Sequence, residues 1–260
     1  MSASERITVV SFTFDDGWKT DLQASSLLAA HGMRGTFYVS SNAVGREGYV
    51  TWDELAAIQG GGHEIGGHTL DHVDLTAVAR DEAYRQVAVD REVLLARGFD
   101  VTSFAYPHGA YNGAVEKIVR EAGYTSARAA WGLRNIAAVR DRRPRVAAIL
   151  VANPFGIETP CCIDGNTSLE MLRDYIRKAE RVGGWVPLVF HRISDEARSD
   201  GAAPSLSPAR LEALLGWLEA RAQNGTVVRT LGQVITQENP RLAPAPQPFD
   251  ARTAAPHSIS

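Results

Sequence analysis

Short apolar runs alternate with amphipathic stretches along most of this chain, and that alternation restricts it to an α/β fold on a largely parallel sheet. Strand-like runs fall at 7–14, 35–40, 63–67, 103–106, 124–128, 185–190 and 226–229, with another expected near 146–151. Helical periodicity covers 20–31, 51–59, 76–97, 113–122, 168–182 and 207–222. Thr51 and Ser207 are placed to cap their helices, and Pro208 suits a first helical position. About seven β/α steps result. A single domain over 1–238 accommodates them, without internal repeats. Beyond it, Pro240, Pro244, Pro246, Pro248 and Pro256 predict an extended or disordered tail over 239–260.

Composition narrows the function by exclusion. The formal charge of -3 arises from interspersed acidic and basic residues, so neither a nucleic-acid backbone nor an acidic membrane is an expected partner. No apolar run approaches the roughly 20 residues of a membrane span. The N-terminal segment lacks a basic region followed by an apolar stretch, which predicts a cytoplasmic protein as written, or a secreted one if a leader has been removed. Cys161 and Cys162 are adjacent, so no disulfide framework exists. Oligomeric state leaves no signature.

Two motifs carry chemistry. Thr13-Phe14-Asp15-Asp16-Gly17 puts adjacent carboxylates at the end of an apolar strand, before a glycine that permits a sharp turn. Alone, it could be a turn that caps the next helix. His68-Thr69-Leu70-Asp71-His72 spaces two imidazoles to share one face of a helical turn; alone, it could be a surface pair. Together they match a borderline divalent metal, which favours imidazole plus carboxylate and keeps positions open for water and substrate. Zinc peptidases with His-x-x-x-His spacing carry a glutamate after the first histidine, whereas Thr69 here cannot act as a base. Asp15, beside a metal-ligating Asp16, is the economical base. Asp15, His68, Tyr106 and His191 each follow a predicted strand, and barrel chemistry gathers at the C-terminal strand ends.

Over 7–235 the chain resembles the polysaccharide deacetylases of the NodB homology domain, carbohydrate esterase family 4. Thr13–Gly17, His68–His72 and Val189-Phe190-His191 correspond to three of that family's motifs. The resemblance implies a distorted (β/α)7 barrel, Asp15 as catalytic base, Asp16, His68 and His72 as metal ligands, and His191 as general acid. Where many members read Arg-Pro-Pro-Tyr-Gly, this chain has Ala105-Tyr106-Pro107-His108-Gly109, a Phe-Ala-Tyr-Pro variant without the arginine that orients the base. Arg128, at the end of the next strand, is the expected replacement. The backbone N–H of His108 occupies the oxyanion position, Tyr106 belongs to the same substrate-side motif, and Trp131 is the candidate aromatic wall. No carboxylate stands at the usual spacing to orient His191. Trp185 and Trp217 read as core.

The implied reaction is metal-assisted hydrolysis of an N-acetyl group on a saccharide, glycoconjugate or related small amide, with zinc the first choice and cobalt, nickel or manganese possible. An O-acetyl ester deacetylase of the acetylxylan type and a non-catalytic carbohydrate-binding protein on the same scaffold are the competing expectations. The region from the 130s to the 160s, with Trp131, Phe155 and the two cysteines, is the expected source of specificity.

Overall fold

The computed structural model describes residues 7–130, 152–159, 161–196 and 205–238. In chain order the elements are β1 (Thr8–Phe14), α1 (Asp21–Ala30), β2 (Thr36–Val39), α2 (Trp52–Gly60), β3 (Glu64–Gly67), α3 (Arg80–Ala96), β4 (Ser103–Ala105), α4 (Gly113–Glu121) and β5 (Ser126–Arg128). There follow β6 (Cys161–Cys162), α5 (Leu169–Glu180), β7 (Gly184–Phe190), α6 (Pro208–Glu219), β8 (Thr226–Val228) and α7 (Leu231–Glu238). The strands form one parallel sheet in the order β5-β4-β3-β2-β1-β7-β6. This is the expected distorted β/α barrel.

The distortion has a local cause. β1 pairs along its whole length with β7, but on its other edge β8 takes Thr8–Val10 and β2 takes only Thr13 and Phe14. Two strands thus share one edge of β1. Beyond β5, residues around Ile157 run parallel to Arg128 and exchange backbone hydrogen bonds with Ala127 and Ala129.

Strand alternation sorts residues between helix layer and lumen. On β1, Val10, Phe12 and Phe14 join the main apolar core, with Phe14 stacked on Phe37 and Phe190. The other face carries Ser11, Thr13 and Asp15, and in register lie Thr36, Glu64, Ser103, Ser126 and Arg128 on β2 to β5. Barrel interiors are usually filled by Val, Ile and Leu. This one is polar, so it can hold a buried ion pair at its upper end. At the lower end, Glu64 accepts from Thr36 Oγ1, Ser103 Oγ and the Gly232 N–H at the start of α7, while Leu231, Val234 and Ile235 pack on Val9 and Trp185. α7 therefore closes that end. It was not expected from the sequence, because its apolar face is matched to strand ends distant in the chain.

Local signals account for most helix ends. Thr51 and Glu54 form a reciprocal capping box, Asn112 accepts from two N–H groups of α4, and Ser207 accepts from Arg210 N–H behind Pro208. The helix expected over 76–97 begins only at Arg80, because Asp74 turns the chain by accepting from Thr76 N–H and Oγ1. Trp185 is buried, and Trp217 is partly covered beneath the guanidinium groups of Arg173, Arg177 and Arg221. The strand expected at 146–151, Trp131 and the tail over 239–260 lie outside the described residues. No helix of the described residues is long and apolar enough to cross a membrane.

Candidate active site

β1 ends at Phe14, and the next two residues turn away from each other. Asp15 continues the strand, its N–H donating to Phe190 O at 2.9 Å, and its side chain enters the lumen. Asp16 is left-handed (φ 78°), as is Gly17 (φ 76°), so its carboxylate is thrown to the rim. There His72 Nε2 approaches Asp16 Oδ1 at 3.2 Å and His68 Nε2 at 3.5 Å, while Trp18 Nε1–H donates to Asp16 Oδ2 at 2.9 Å.

Those imidazoles do not converge through a helical turn, as their spacing predicts. Thr69 (φ 67°) and His72 (φ 55°) are left-handed, and the segment between β3 and α3 is a loop. A helical turn would lay the rings one above the other; the observed loop sets them at 62° with centroids 4.9 Å apart, both facing Asp16. The loop holds this shape through bonds to α3 and to the segment after β2: Leu70 N–H to Gln86 O, Asp71 N–H to Gln86 Oε1, and Asn42 N–H to Leu70 O. The four left-handed non-glycine residues of the described chain, Asp16, Thr69, His72 and His108, all stand at this site. Each costs on the order of 1–2 kcal/mol. Strain is concentrated where the chemistry is expected.

These donors fit a divalent metal. Asp16, His68 and His72 each offer one atom, all within 4.8 Å of one another. Asp16 Oδ1 is buried without a hydrogen-bond donor, and His68 Nδ1 lies 2.7 Å from Ala105 O, which keeps Nε2 directed at the cluster. Burial opposes the charge on Asp16, but the adjoining imidazoles of His68 and His72 and the charge of His191 outweigh it, holding the carboxyl far below the usual carboxylate range.

Arg128 is completely buried, and its Nη2 hydrogen-bonds Asp15 Oδ1. The guanidinium lies over the Tyr38 ring at 4.6 Å, and its remaining side-chain nitrogens, Nε and Nη1, have no hydrogen-bond partner. β5 pairs with β4 so that Arg128 is opposite Ala105. An arginine one strand over therefore occupies the space next to Asp15 that a side chain at 105 would otherwise fill.

The remaining candidates separate. His191 follows β7 at the same rim, and its N–H donates to Ser205 Oγ at 2.9 Å; among the described residues no side chain hydrogen-bonds its imidazole. Extending the Cys162–Val189 register by two residues puts Asp164 opposite His191, although Asp164 Oδ1 is taken by Asn166 N–H and Thr167 Oγ1. His108 is exposed, with its ring 4.6 Å from that of His72. Tyr106 corrects its substrate-side expectation: it is fully buried, stacked on Tyr111, and its hydroxyl donates to Phe155 O at 2.9 Å. It belongs to the wall behind the site, because strand parity turns it away from the lumen that Ala105 faces.

Three contributors, Trp18, Asp21 and Asp90, were missed from the sequence, and Cys162 was expected only within a specificity region. Trp18 lies directly after the Asp-Asp-Gly turn and stacks on Tyr49 at 4.6 Å. Asp21, at the start of α1, has both carboxyl oxygens buried without partners; burial first, then the charges of Asp16 and Asp15, push it well above its ordinary value. Cys162, on β6, has its thiol pushed up to about 11, by burial first and then by the charge of Asp15. Asp90 is fully buried on α3, accepting from Ser41 N–H at 2.9 Å and His68 N–H at 3.2 Å. Only Asp90 left a legible signal: a charged residue within the buried stripe of Ala83, Val87 and Leu94.

The family model described as polysaccharide deacetylase matches residues 3–127. YxkH of Bacillus subtilis, named as a polysaccharide deacetylase, is 29% identical over 118 residues, which is 44% of this chain and 42% of that protein. The peptidoglycan-N-acetylglucosamine deacetylase PgdA of Listeria monocytogenes is 29% identical over 109 residues, 41% of this chain and 22% of its own length. The match thus spans less than half of either relative. Among solved structures, a T48 deacetylase with substrate superposes with a TM-score of 0.56 at 17% identity, over 92% of this chain and 96% of that one. The Xyl-CE4 domain of a multidomain xylanase from the hindgut metagenome of Trinervitermes trinervoides gives 0.57 at 15% identity, over 89% and 91%. The barrel is shared with both. With the family match over residues 3–127 and the two intact motifs at the ends of β1 and β3, that part of the chain is similar to the polysaccharide deacetylases, the NodB homology group of carbohydrate esterase family 4.

Proposed function

We propose that this chain is a metal-dependent deacetylase that hydrolyses an N-acetyl group on a saccharide or glycoconjugate to acetate and a free amine. The observation that carries the reading is one rim holding a three-donor cluster, Asp16, His68 and His72, beside a buried carboxylate, Asp15, that is paired with a buried arginine. A divalent metal held by those donors, zinc by the chemistry of the set, would lower the pKa of a water toward about 7 and polarise the acyl oxygen. Asp15 accepts the proton of the attacking water, and Arg128, hydrogen-bonded to it, orients it for that role. The His108 N–H, presented by a left-handed residue, is the candidate backbone donor to the oxyanion. His191, across the strand pair β1 and β7, protonates the departing nitrogen.

Two features favour an amide over an ester. An amine must be protonated to leave, and His191 is placed at the rim for that step; PgdA of Listeria monocytogenes is named for an N-acetylglucosamine substrate. A purely binding role has no use for the Asp15–Arg128 pair. The test is acetate release from chitooligosaccharides, peptidoglycan fragments and acetylated xylan, before and after chelation and on return of zinc or cobalt. Release from the N-acetyl substrates that chelation abolishes and metal restores is expected, with loss in Asp15→Asn and His191→Ala. Full activity after exhaustive chelation, or preference for xylan unaffected by His191→Ala, would overturn the proposal.

A further inference from the structure

The loop that carries His68 and His72 is short, twice left-handed, and lacks secondary structure of its own, yet it must present two imidazoles to one point. What holds it is one face of α3. Asp90 takes the His68 N–H on Oδ2 and, on Oδ1, the N–H of Ser41 in the segment after β2. One turn earlier, Gln86 takes the Leu70 N–H on its backbone oxygen and the Asp71 N–H on Oε1, while its amide donates to Asp71 Oδ2 at 2.8 Å. Three of the four loop amides from His68 to Asp71, all but that of Thr69, are thus satisfied by two side chains and one carbonyl at positions i and i+4 of a helix.

Both residues are almost wholly enclosed, at 0% and 2% exposure, so the bonds of Asp90 to His68 and Ser41 are sheltered from water. The Gly67 position preceding the loop is shaped by the same arrangement, since a Cβ there would overlap the Tyr124 hydroxyl and come within 3.0 Å of Asp90 Oδ2. We infer that Asp90 and Gln86 are positioning residues that set the affinity of the metal centre by clamping its histidine loop to α3. They touch neither the ion nor the substrate. Without them the left-handed residues relax and the two imidazoles separate. The inference rests on Asp16, His68 and His72 being the metal site.

The experiment measures zinc affinity by competition with a chromophoric chelator, and the visible spectrum of the cobalt-loaded protein, for wild type, Asp90→Asn, Gln86→Leu and the stability control Val87→Ala. Val87 lies between the two on α3, is buried in the core, and bonds nothing in the loop. Asp90→Asn retains one acceptor where two are needed, and Gln86→Leu removes the Asp71 bonds. Each is expected to weaken zinc binding about 10-fold or more and to alter the cobalt spectrum, whereas Val87→Ala lowers the melting temperature with wild-type affinity and spectrum. If Asp90→Asn and Gln86→Leu melt early but bind zinc and cobalt as wild type does, the clamp is overturned and both residues are merely structural. The metal reading fails separately if His68→Ala and His72→Ala bind zinc as tightly as wild type. A wild type that binds neither ion removes both.

Discussion

The Asp15–Arg128 pair invites the most searching measurement, because removal of either partner should hurt more than removal of both. Asp15 is 3% exposed and Arg128 is 0% exposed, and among the described residues Asp15 is the one carboxylate hydrogen-bonded to that guanidinium. In Arg128→Met a buried carboxylate loses its countercharge, which costs about 3–5 kcal/mol. For a domain of this size that corresponds to a fall in melting temperature of roughly 6–20 °C. Asp15→Asn leaves the guanidinium uncompensated and carries a similar cost. In the double variant neither charge remains, a methionine of comparable volume fills the space above Tyr38, and stability returns to within about 1–2 kcal/mol of wild type. Urea unfolding of the four proteins after chelation yields the coupling energy directly. On the activity side, Arg128→Met should lower turnover, because the Asp15 carboxylate loses the hydrogen bond that orients it. Additive losses in the double variant, with unchanged turnover in Arg128→Met, would show that the pair is not coupled and that Arg128 does not serve the base.

Three further outcomes are expected. Gly67→Ala places a methyl group against the Tyr124 hydroxyl and Asp90 Oδ2, and should cost about 1–3 kcal/mol in urea unfolding. Glu64→Leu strips an acceptor from Thr36, Ser103 and the start of α7, and should lower stability by about 3 kcal/mol while zinc affinity stays at the wild-type value, since Glu64 lies at the opposite end of the lumen from the metal donors. At the surface, His31 joins α1 to α6 through Glu219 at 2.8 Å and Glu212 at 3.0 Å, and hydrogen bonding to Glu219 raises it above the ordinary 6.5. Its contribution is fully present below about pH 6.5 and is lost as pH rises through the raised folded value. His31→Gln should therefore flatten that part of the stability profile, and an unchanged pH dependence of urea midpoints would refute the coupling.

Sequence alone determined the elements whose signals are local. Apolar runs marked the strands, Thr51 and Ser207 announced helix starts through side chains that bond N–H groups three residues away, and the Asp-Asp-Gly and His-x-x-x-His spacings located the donors of one rim. Only the tertiary structure decided how those donors meet. The histidine spacing fits a helical turn equally well, and it is the bonds from Asp90 and Gln86, far along the chain on α3, that impose the left-handed loop instead. Tyr106 looked like a substrate residue from its motif, yet strand parity, which depends on where β4 sits in the sheet, buries it. Arg128 is the intermediate case. The missing arginine at position 105 posed the question, but that a residue 23 positions later could answer it depends on β4 and β5 lying in register with Ala105 beside Arg128. Local bonds are written in neighbouring residues. Convergence of distant side chains on one point is a property of sheet order and register, which no single stretch of sequence encodes.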